Sequence, residues 1–150
     1  AAVTVHGPSV IGQVPGDHAT TSPRDLGQIV WPVIKTAMSR QAERALQSLE
    51  GAAAANRAVR GLEAVAGHLR AGSCNTLLVE EGFHVRGSLD RTGGIPAITP
   101  MTDIRDVVDD AVDAVIEAAL AAGGRVVFTP EGSLAIWERI ALLPQNGSTT

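Results

Sequence analysis

Side chains with reactive groups directly follow one short apolar run in the middle of the chain. Glu80, Glu81 and His84 come after residues 75–79, whose apolar composition predicts a buried strand. The ends of strands are where α/β folds place their ligands. Two carboxylates and an imidazole in that position have the chemistry to bind a metal ion or to transfer protons.

No third well-spaced ligand and no nucleophile accompanies these three residues in the sequence. The alternative interpretation is a polar rim in which His84 forms a hydrogen bond within a loop. We therefore predict that Glu80, Glu81 and His84 belong to a binding surface, with no catalytic residue, no metal and no cofactor.

Two arginines form a second candidate binding site. Arg57 and Arg60 stand just before Gly61, where a helical pattern of apolar residues begins. The N-terminus of a helix attracts anions, so these residues could contact phosphate. The net charge of −4 opposes this interpretation. The sequence contains one lysine, Lys35, which indicates a compositional bias toward arginine, so the arginine excess alone is no evidence for phosphate binding.

Cys74 is the only cysteine, which excludes an internal disulfide and a cysteine-based metal cluster. It could be a nucleophile beside His68, but a position directly before a strand favours a small core residue. A further pattern places Asp106, Asp109, Asp110 and Asp113 on one helix face. That face could dock a basic partner, or could simply be solvated.

The composition limits the class of protein. The chain has 150 residues with 45% apolar but only 3% aromatic residues, which predicts one core of Ala, Val, Leu and Ile. The acidic balance predicts weak or no autonomous nucleic-acid binding. No apolar run is long enough to span a membrane, and no secretory leader is visible, so we expect a cytoplasmic protein without a membrane partner.

The clearest predicted unit is a helix followed by a strand. Apolar residues recur at three- and four-residue spacing over residues 103–122, with Asp103 as the expected N-cap and Gly123-Gly124 as the stop. Residues 125–130 predict a strand buried on both faces. A helix that returns into such a strand is half of an α/β unit.

A long helix is predicted near the start of the chain. Ser22-Pro23 is a helix-start signal, and an apolar stripe runs from Leu26 to Leu49. Pro32 should kink this helix or mark its true start. Composition does not decide whether the alanine run at residues 52–55 is helix or loop. Shorter elements are predicted as extended pieces at 3–5 and 10–14, a helix from Gly61 to Ala71-Gly72, strands at 75–80, 85–89 and 140–143, and a helical turn at 134–137.

These elements predict an α/β fold with a mixed, mostly buried sheet sandwiched between helices and preceded by a long helix. We expect residues 1–22 to be the end of a preceding domain and residues 23–50 to be a linking helix. Residues 51–143 would form the α/β domain, and residues 144–150 a flexible tail. The first residue is not Met, which suggests a fragment of a longer protein.

Five segments in order resemble one protein family. A glycine starts the helix at residues 61–65, a valine follows four residues on, and a second glycine comes eleven residues after the first, before a T-L-L-V strand. Together with residues 123–127 and 139–143, this series resembles the C-terminal domain of the archaeo-eukaryotic class-1 release factors. Residues 79–84 and 108–113 are most similar to the uncharacterised bacterial branch of that family.

The resemblance implies translation and a release-factor C-terminal-like domain. Relatives bind the ribosomal A site as release, rescue or hibernation factors, and their C-terminal domain typically docks a translational GTPase. The implied partners are therefore the ribosome and such a GTPase. The resemblance also implies that residues 3–49 contain the end of the family's middle domain.

Two departures limit what the resemblance implies. Release activity in the family needs a Gly-Gly-Gln loop, and this chain has only Ile11-Gly12-Gln13 in another context. Glu63-Ala64 also replaces the Asn-Glu pair of the related kink-turn RNA-binding proteins. We predict a non-catalytic module, with two alternatives: part of a peptidyl-tRNA-hydrolysing factor whose catalytic loop lies elsewhere, or a homo-oligomer that associates through the helix from Leu26 to Leu49.

Overall fold

The computed structural model describes residues 11–89, 96–97, 107–108 and 110–145. Contacts divide the chain into two compact units, Ala1–Glu43 and Arg44–Thr150. The elements in chain order are α1 (Pro23–Ala54), β1 (Val59–Arg60), α2 (Leu62–Arg70), β2 (Thr76–Glu80), β3 (Gly87–Leu89), β4 (Pro96–Ala97), β5 (Val107–Val108), α3 (Ala111–Ala121), β6 (Arg125–Thr129), a 3₁₀ turn (Ala135–Trp137) and β7 (Ile140–Leu143).

A four-stranded mixed sheet forms the centre of the second unit. Its strand order is β1-β7-β2-β6, with β2 and β6 parallel and the other pairs antiparallel. Every residue of β2 is buried. The predicted mixed and mostly buried sheet is confirmed, and β2 is its most protected strand.

Helices α2 and α3 cover one face of this sheet. Val65 and Val115 from the helices belong to one buried cluster with Leu77 and Val79 from β2. Residues of the opposite face, such as Leu78 and Ala141, are also fully buried. The end of α1 belongs to the same unit, and its residues Ala45, Leu49 and Ala52 are buried.

β6 differs from its prediction. Among the described strands it lies at the edge of the sheet, and only Val127 and Thr129 of its five residues are buried. The Phe128 side chain is 46% exposed. The prediction of a strand buried on both faces is wrong, because the face that carries Val126 and Phe128 is only partly covered.

α3 begins later than predicted. Its N-cap is Asp110, whose carboxylate accepts a hydrogen bond from the Val112 N–H at 2.9 Å. Val107–Val108 form a strand that pairs with β3, as β-branched residues favour, so the helix does not include Val108. The expected cap at Asp103 lies outside the described residues. The stop is as predicted, with Gly123 at a φ of 77° directly after the C-cap.

α1 begins at Pro23, as predicted. The Asp25 N–H donates to Ser22 Oγ at 3.2 Å, and the Ser22 hydroxyl donates to the Asp25 carboxylate at 2.6 Å. The helix continues through Pro32, so this proline does not mark its start. It also includes the alanine run as far as Ala54, and Asn56 follows with a φ of 55°.

Three short strands lie between β2 and α3. β3 falls within the predicted strand at residues 85–89, whereas β4 and β5 have no counterpart in the sequence prediction. The three strands form a second sheet in the order β4-β3-β5. Among residues 11–14, where an extended piece was predicted, the structure has no strand. The pieces at residues 3–5 and the tail after residue 145 lie outside the described residues.

In the described part of the chain, no helix is both long enough and apolar enough to cross a bilayer.

Candidate functional site

Glu80 lies at the carboxyl end of β2 and is only 2% exposed. One carboxylate oxygen accepts a hydrogen bond from the Leu134 N–H at 2.7 Å, and the other accepts one from Arg139 Nε at 2.9 Å. Both partners lie in the connection between β6 and β7. Glu80 therefore holds that connection against the end of the sheet.

The surroundings of Glu80 favour the ionised form of its carboxyl group. Burial alone would raise the pKa of the carboxyl group, but hydrogen bonds from Arg139 and from the backbone N–H groups of Leu134 and Gly132 outweigh it. The pKa of Glu80 consequently lies below its ordinary value. Glu80 is thus an ionised structural acceptor and has no free oxygen pointed at solvent for a ligand.

Arg139 is a residue of this region that the sequence analysis did not identify. Its guanidinium group lies over the ring of Phe83, 5.1 Å from the ring centroid, while it pairs with Glu80. Arg139 and Glu138 both have left-handed backbone angles, with φ of 67° and 58°. Two consecutive non-glycine residues in that region indicate a backbone held by its surroundings. No motif in the sequence indicated this pair.

Glu81 and His84 do not join Glu80 in one cluster. Glu81 is exposed, and its backbone N–H donates to the Thr129 carbonyl at 2.9 Å. The His84 ring hydrogen-bonds to the carboxylate of Asp110, the N-cap of α3. Nowhere in the described ranges do three His, Cys, Asp or Glu side chains group as metal ligands do.

Asp110 links the loop after β2 to α3. Besides His84, its carboxylate accepts hydrogen bonds from the backbone N–H groups of Val85 at 3.2 Å and Val112 at 2.9 Å. Burial would raise the pKa of Asp110, but these hydrogen bonds and the His84 charge lower it below its ordinary value. The hydrogen bond of His84 therefore goes to the N-cap of α3 and not to a group within its own loop.

A carboxylate of the chain itself, that of Glu138, lies beside the N-terminus of α2. Arg60 Nε lies 3.4 Å from Glu138 Oε1. Gly61, with a φ of 82°, is buried, and a Cβ at this position would come within 2.6 Å of Glu138 Oε2. A phosphate at this helix end would therefore have to displace Glu138.

Two open clefts lie along α2. One has a volume of about 550 Å³ and is lined by Arg60, Gly61, Glu63, Ala64, Gly67, Arg70 and Glu138. The other has a volume of about 530 Å³ and is lined by Asn56, Arg57, Ala58, Val59, His68, Pro144 and Gln145. Arg57 and Arg60, predicted as one site, thus line different clefts.

Cys74 does not have the environment of a nucleophile. It is 2% exposed, and burial raises the pKa of its thiol. His68 instead shares a hydrogen bond with the Ser73 hydroxyl at 3.2 Å.

No family profile and no curated protein matches the chain. Its fold is similar to a solved structure of the C-terminal domain of Peptide Chain Release Factor from Methanosarcina mazei, with a TM-score of 0.63 and 19% identity. That match covers 85% of this chain and 98% of the other. Pelota from Archaeoglobus fulgidus is also similar, with a TM-score of 0.53 and 17% identity over 90% of this chain and 40% of Pelota.

A third similar structure is archaeal Pelota in a ribosome-bound model with ABCE1. The TM-score is 0.54 at 19% identity, and the match covers 87% of this chain and 34% of that one. The chain therefore spans nearly all of the isolated release-factor domain and well under half of Pelota. These matches confirm the predicted fold, that of the C-terminal domain of archaeal release factors and Pelota.

Proposed function

We propose that this chain is a non-catalytic binding module of a release-factor-like protein that acts in the cytoplasm at the ribosome, in release, rescue or hibernation. The observation that carries the proposal is the fold, which covers 98% of an archaeal release-factor C-terminal domain. The binding partner of a similar chain supports it as well, since one Pelota structure is ribosome-bound.

The described residues favour binding over catalysis. The buried carboxylate of Glu80 already accepts hydrogen bonds from Arg139 and Leu134. The one thiol, Cys74, is buried in its protonated form at neutral pH. A module that positions other parts of a factor needs surface contacts and a rigid core, and both are present.

We propose that the N-terminus of α2 contacts phosphate groups of ribosomal RNA. Arg60 lies at this end with its side chain 60% exposed, and Arg57 lines the neighbouring cleft. Glu138 competes with any incoming phosphate because it pairs with Arg60 and lies against Gly61. Removal of its charge should therefore strengthen binding, whereas removal of Arg60 should weaken it.

The test is co-sedimentation with ribosomes of the longest natural form of the protein, with the 150-residue chain beside it, across a salt series. We expect Arg60→Ala to weaken binding by about fivefold, as one exposed charge contact contributes about 1 kcal/mol. Glu138→Gln should move the affinity in the opposite direction. Arg24→Ala, which removes an equal charge from exposed α1, is the matched control and should change little.

A steep loss of binding with salt would accompany phosphate contacts. Pelleting that is independent of salt and equal for the Arg60, Glu138 and Arg24 variants would contradict the phosphate contact. Absence of pelleting by either form would contradict the ribosomal role itself.

We further propose that a translational GTPase is the second partner. The exposed Glu81 and the His84–Asp110 pair form a charged surface at the carboxyl end of β2, on the loop that leads toward β3. A pull-down with an elongation-type GTPase loaded with a non-hydrolysable GTP analogue tests this. Retention that depends on the nucleotide and falls in Glu81→Lys supports the proposal, and retention no greater than that on empty beads contradicts it.

A further inference from the structure

The outer side of β6 is an unpaired strand edge within the described part of the chain, where β2 is its only strand neighbour. The Arg125 N–H donates to the Asn75 carbonyl, and the Thr129 carbonyl accepts from the Glu81 N–H, both at 2.9 Å. In a parallel pair, alternate residues of a strand bond to the same neighbour. Arg125, Val127 and Thr129 therefore face β2, and the backbone groups of Val126 and Phe128 point away from the sheet.

This edge lacks the features that usually protect an exposed strand. Native edges are commonly short, bulged or marked by lysine or proline. The register of β6 with β2 is regular over all five residues, and its sequence contains neither lysine nor proline. Phe128 adds a 46% exposed aromatic ring at the same place. The opposite edge strand, β1, is only two residues long and so offers little to pair with.

We propose that β6 pairs antiparallel with β6 of a second copy of this chain, about a two-fold axis at Val127. The outward backbone groups then match each other: Val126 exchanges hydrogen bonds with the partner's Phe128, and Phe128 exchanges them with the partner's Val126. Val127 faces the partner's Val127 on the axis. The two four-stranded sheets become one continuous sheet.

β6 is more complementary to β6 of a second copy than to an arbitrary peptide. The pairing sets each Phe128 ring beside a β-branched valine, a favourable cross-strand combination, and symmetry makes the pair twice. Exposed Arg125 at the start of one strand also comes opposite the end of the other, where exposed Glu131 follows. Opposite charges thus meet at both ends of the interface.

Cysteine cross-linking tests the register directly. Facing residues in a non-hydrogen-bonded antiparallel pair have Cα atoms about 4.5 Å apart, within the range of a disulfide. Val127→Cys should therefore form a disulfide-linked dimer under oxidised glutathione, which accepts the two electrons. Phe128→Cys is the matched control, because the two Phe128 positions are diagonal neighbours about 7–8 Å apart. Although Phe128 is more exposed, it should cross-link far more slowly.

Sedimentation equilibrium over a wide concentration series tests the unmodified interface. We expect the parent chain to form reversible dimers. Phe128→Lys should raise the dissociation constant of the dimer about tenfold, because the lost pair of Phe128 and valine occurs twice. Ile136→Lys, which places the same charge on a 77% exposed isoleucine outside β6, should dimerise as the parent does. Circular dichroism establishes that each variant is folded.

Three results would overturn the proposal. The first is a parent chain that stays monomeric throughout, together with no disulfide in Val127→Cys. The second is faster cross-linking through Phe128→Cys than through Val127→Cys. The third is a dimer that survives Phe128→Lys but is lost in Trp31→Glu, which would place the interface on the exposed stripe of α1 instead. Because none of these measurements involves ribosomes, the outcome is independent of the proposed function.

Discussion

Glu80 shows how one buried charge connects distant parts of the chain. Its hydrogen-bond partner Arg139 is 59 residues away in sequence, and the two meet because β7 runs antiparallel beside β2. Arg139 in turn covers Phe83, so the same guanidinium group contacts an aromatic ring and a carboxylate. The arrangement fixes the connection that carries Glu138 to the N-terminus of α2.

Substitution of Glu80 should destabilise the fold in a pH-dependent way. Glu80→Gln leaves Arg139 without its charged acceptor, and we expect the free energy of unfolding at pH 7 to fall by about 1–3 kcal/mol. The folded-state pKa of Glu80 is lowered, so its stabilising effect is present above the ordinary glutamate pKa and is lost as pH falls through the folded-state value.

Chemical denaturation from pH 7 to pH 3 measures this difference. The difference in the free energy of unfolding between the parent and Glu80→Gln should shrink toward acid pH. Glu81→Gln, which changes an exposed neighbour, should match the parent throughout. A difference that stays constant down to pH 3 would contradict an ionised Glu80. The comparison with Glu80→Gln cancels the similar acid loss expected from Asp110, whose pKa is also lowered.

Gly124 should be less replaceable than its place in a helix stop suggests. A Cβ there would lie 2.5 Å from Cys74 Sγ and 2.9 Å from the Ala119 carbonyl oxygen. Gly124→Ala should therefore lower the free energy of unfolding by about 1–3 kcal/mol. Gly51→Ala is the control, because a Cβ there meets nothing within 4 Å inside α1, and it should stabilise by about 0.5–1 kcal/mol. Thermal unfolding distinguishes the two, and equal shifts would contradict the close packing at Gly124.

At the scale of elements, α3 depends on a cap that also anchors the preceding loop. Asp110→Ala removes acceptors from Val112 and Val85 and separates His84 from the helix. We expect a loss of about 1–2 kcal/mol in the free energy of unfolding. Asp113→Ala, an exposed acid in the first turn without that capping bond, should cost much less. Urea denaturation that gives equal midpoints for both variants would contradict the assignment of Asp110 as the cap.

The elements that could be predicted were those with a local cause. The start of α1 follows from Ser22 and Pro23, and the stop of α3 from Gly123, because caps and glycine geometry act within a few residues. The start of α3 was missed because Val107–Val108 fit both a helix stripe and a strand. Pairing with β3 decides between them, and that pairing joins residues about twenty positions apart.

The candidate site was less predictable than the fold for the same reason. Glu80 was identified from its place after a strand, but its role depends on Arg139, which no local pattern connects to it. Arg57 and Arg60 were identified because they precede the N-terminus of a predicted helix. Glu138, which is far from them in sequence, pairs with Arg60 there. β2 lies in the centre of the sheet and β6 at its described edge. This difference also depends on the order of strands, which no local pattern in the sequence determines.

At the scale of the whole molecule, the fold matches one domain of larger translation factors. The described residues supply a mixed sheet with a buried centre, a charged rim and a helix end that carries Arg60. Our central claim is therefore binding at the ribosome, in the manner that the resemblance to A-site factors implies.

The most direct test is quantitative pelleting of the protein with ribosomes whose A site is empty, and with ribosomes whose A site holds a bound tRNA. We predict saturable binding to ribosomes with an empty A site and displacement when tRNA fills it. Equal binding to both kinds of ribosome would contradict an A-site role, and no binding to either would contradict the proposed function.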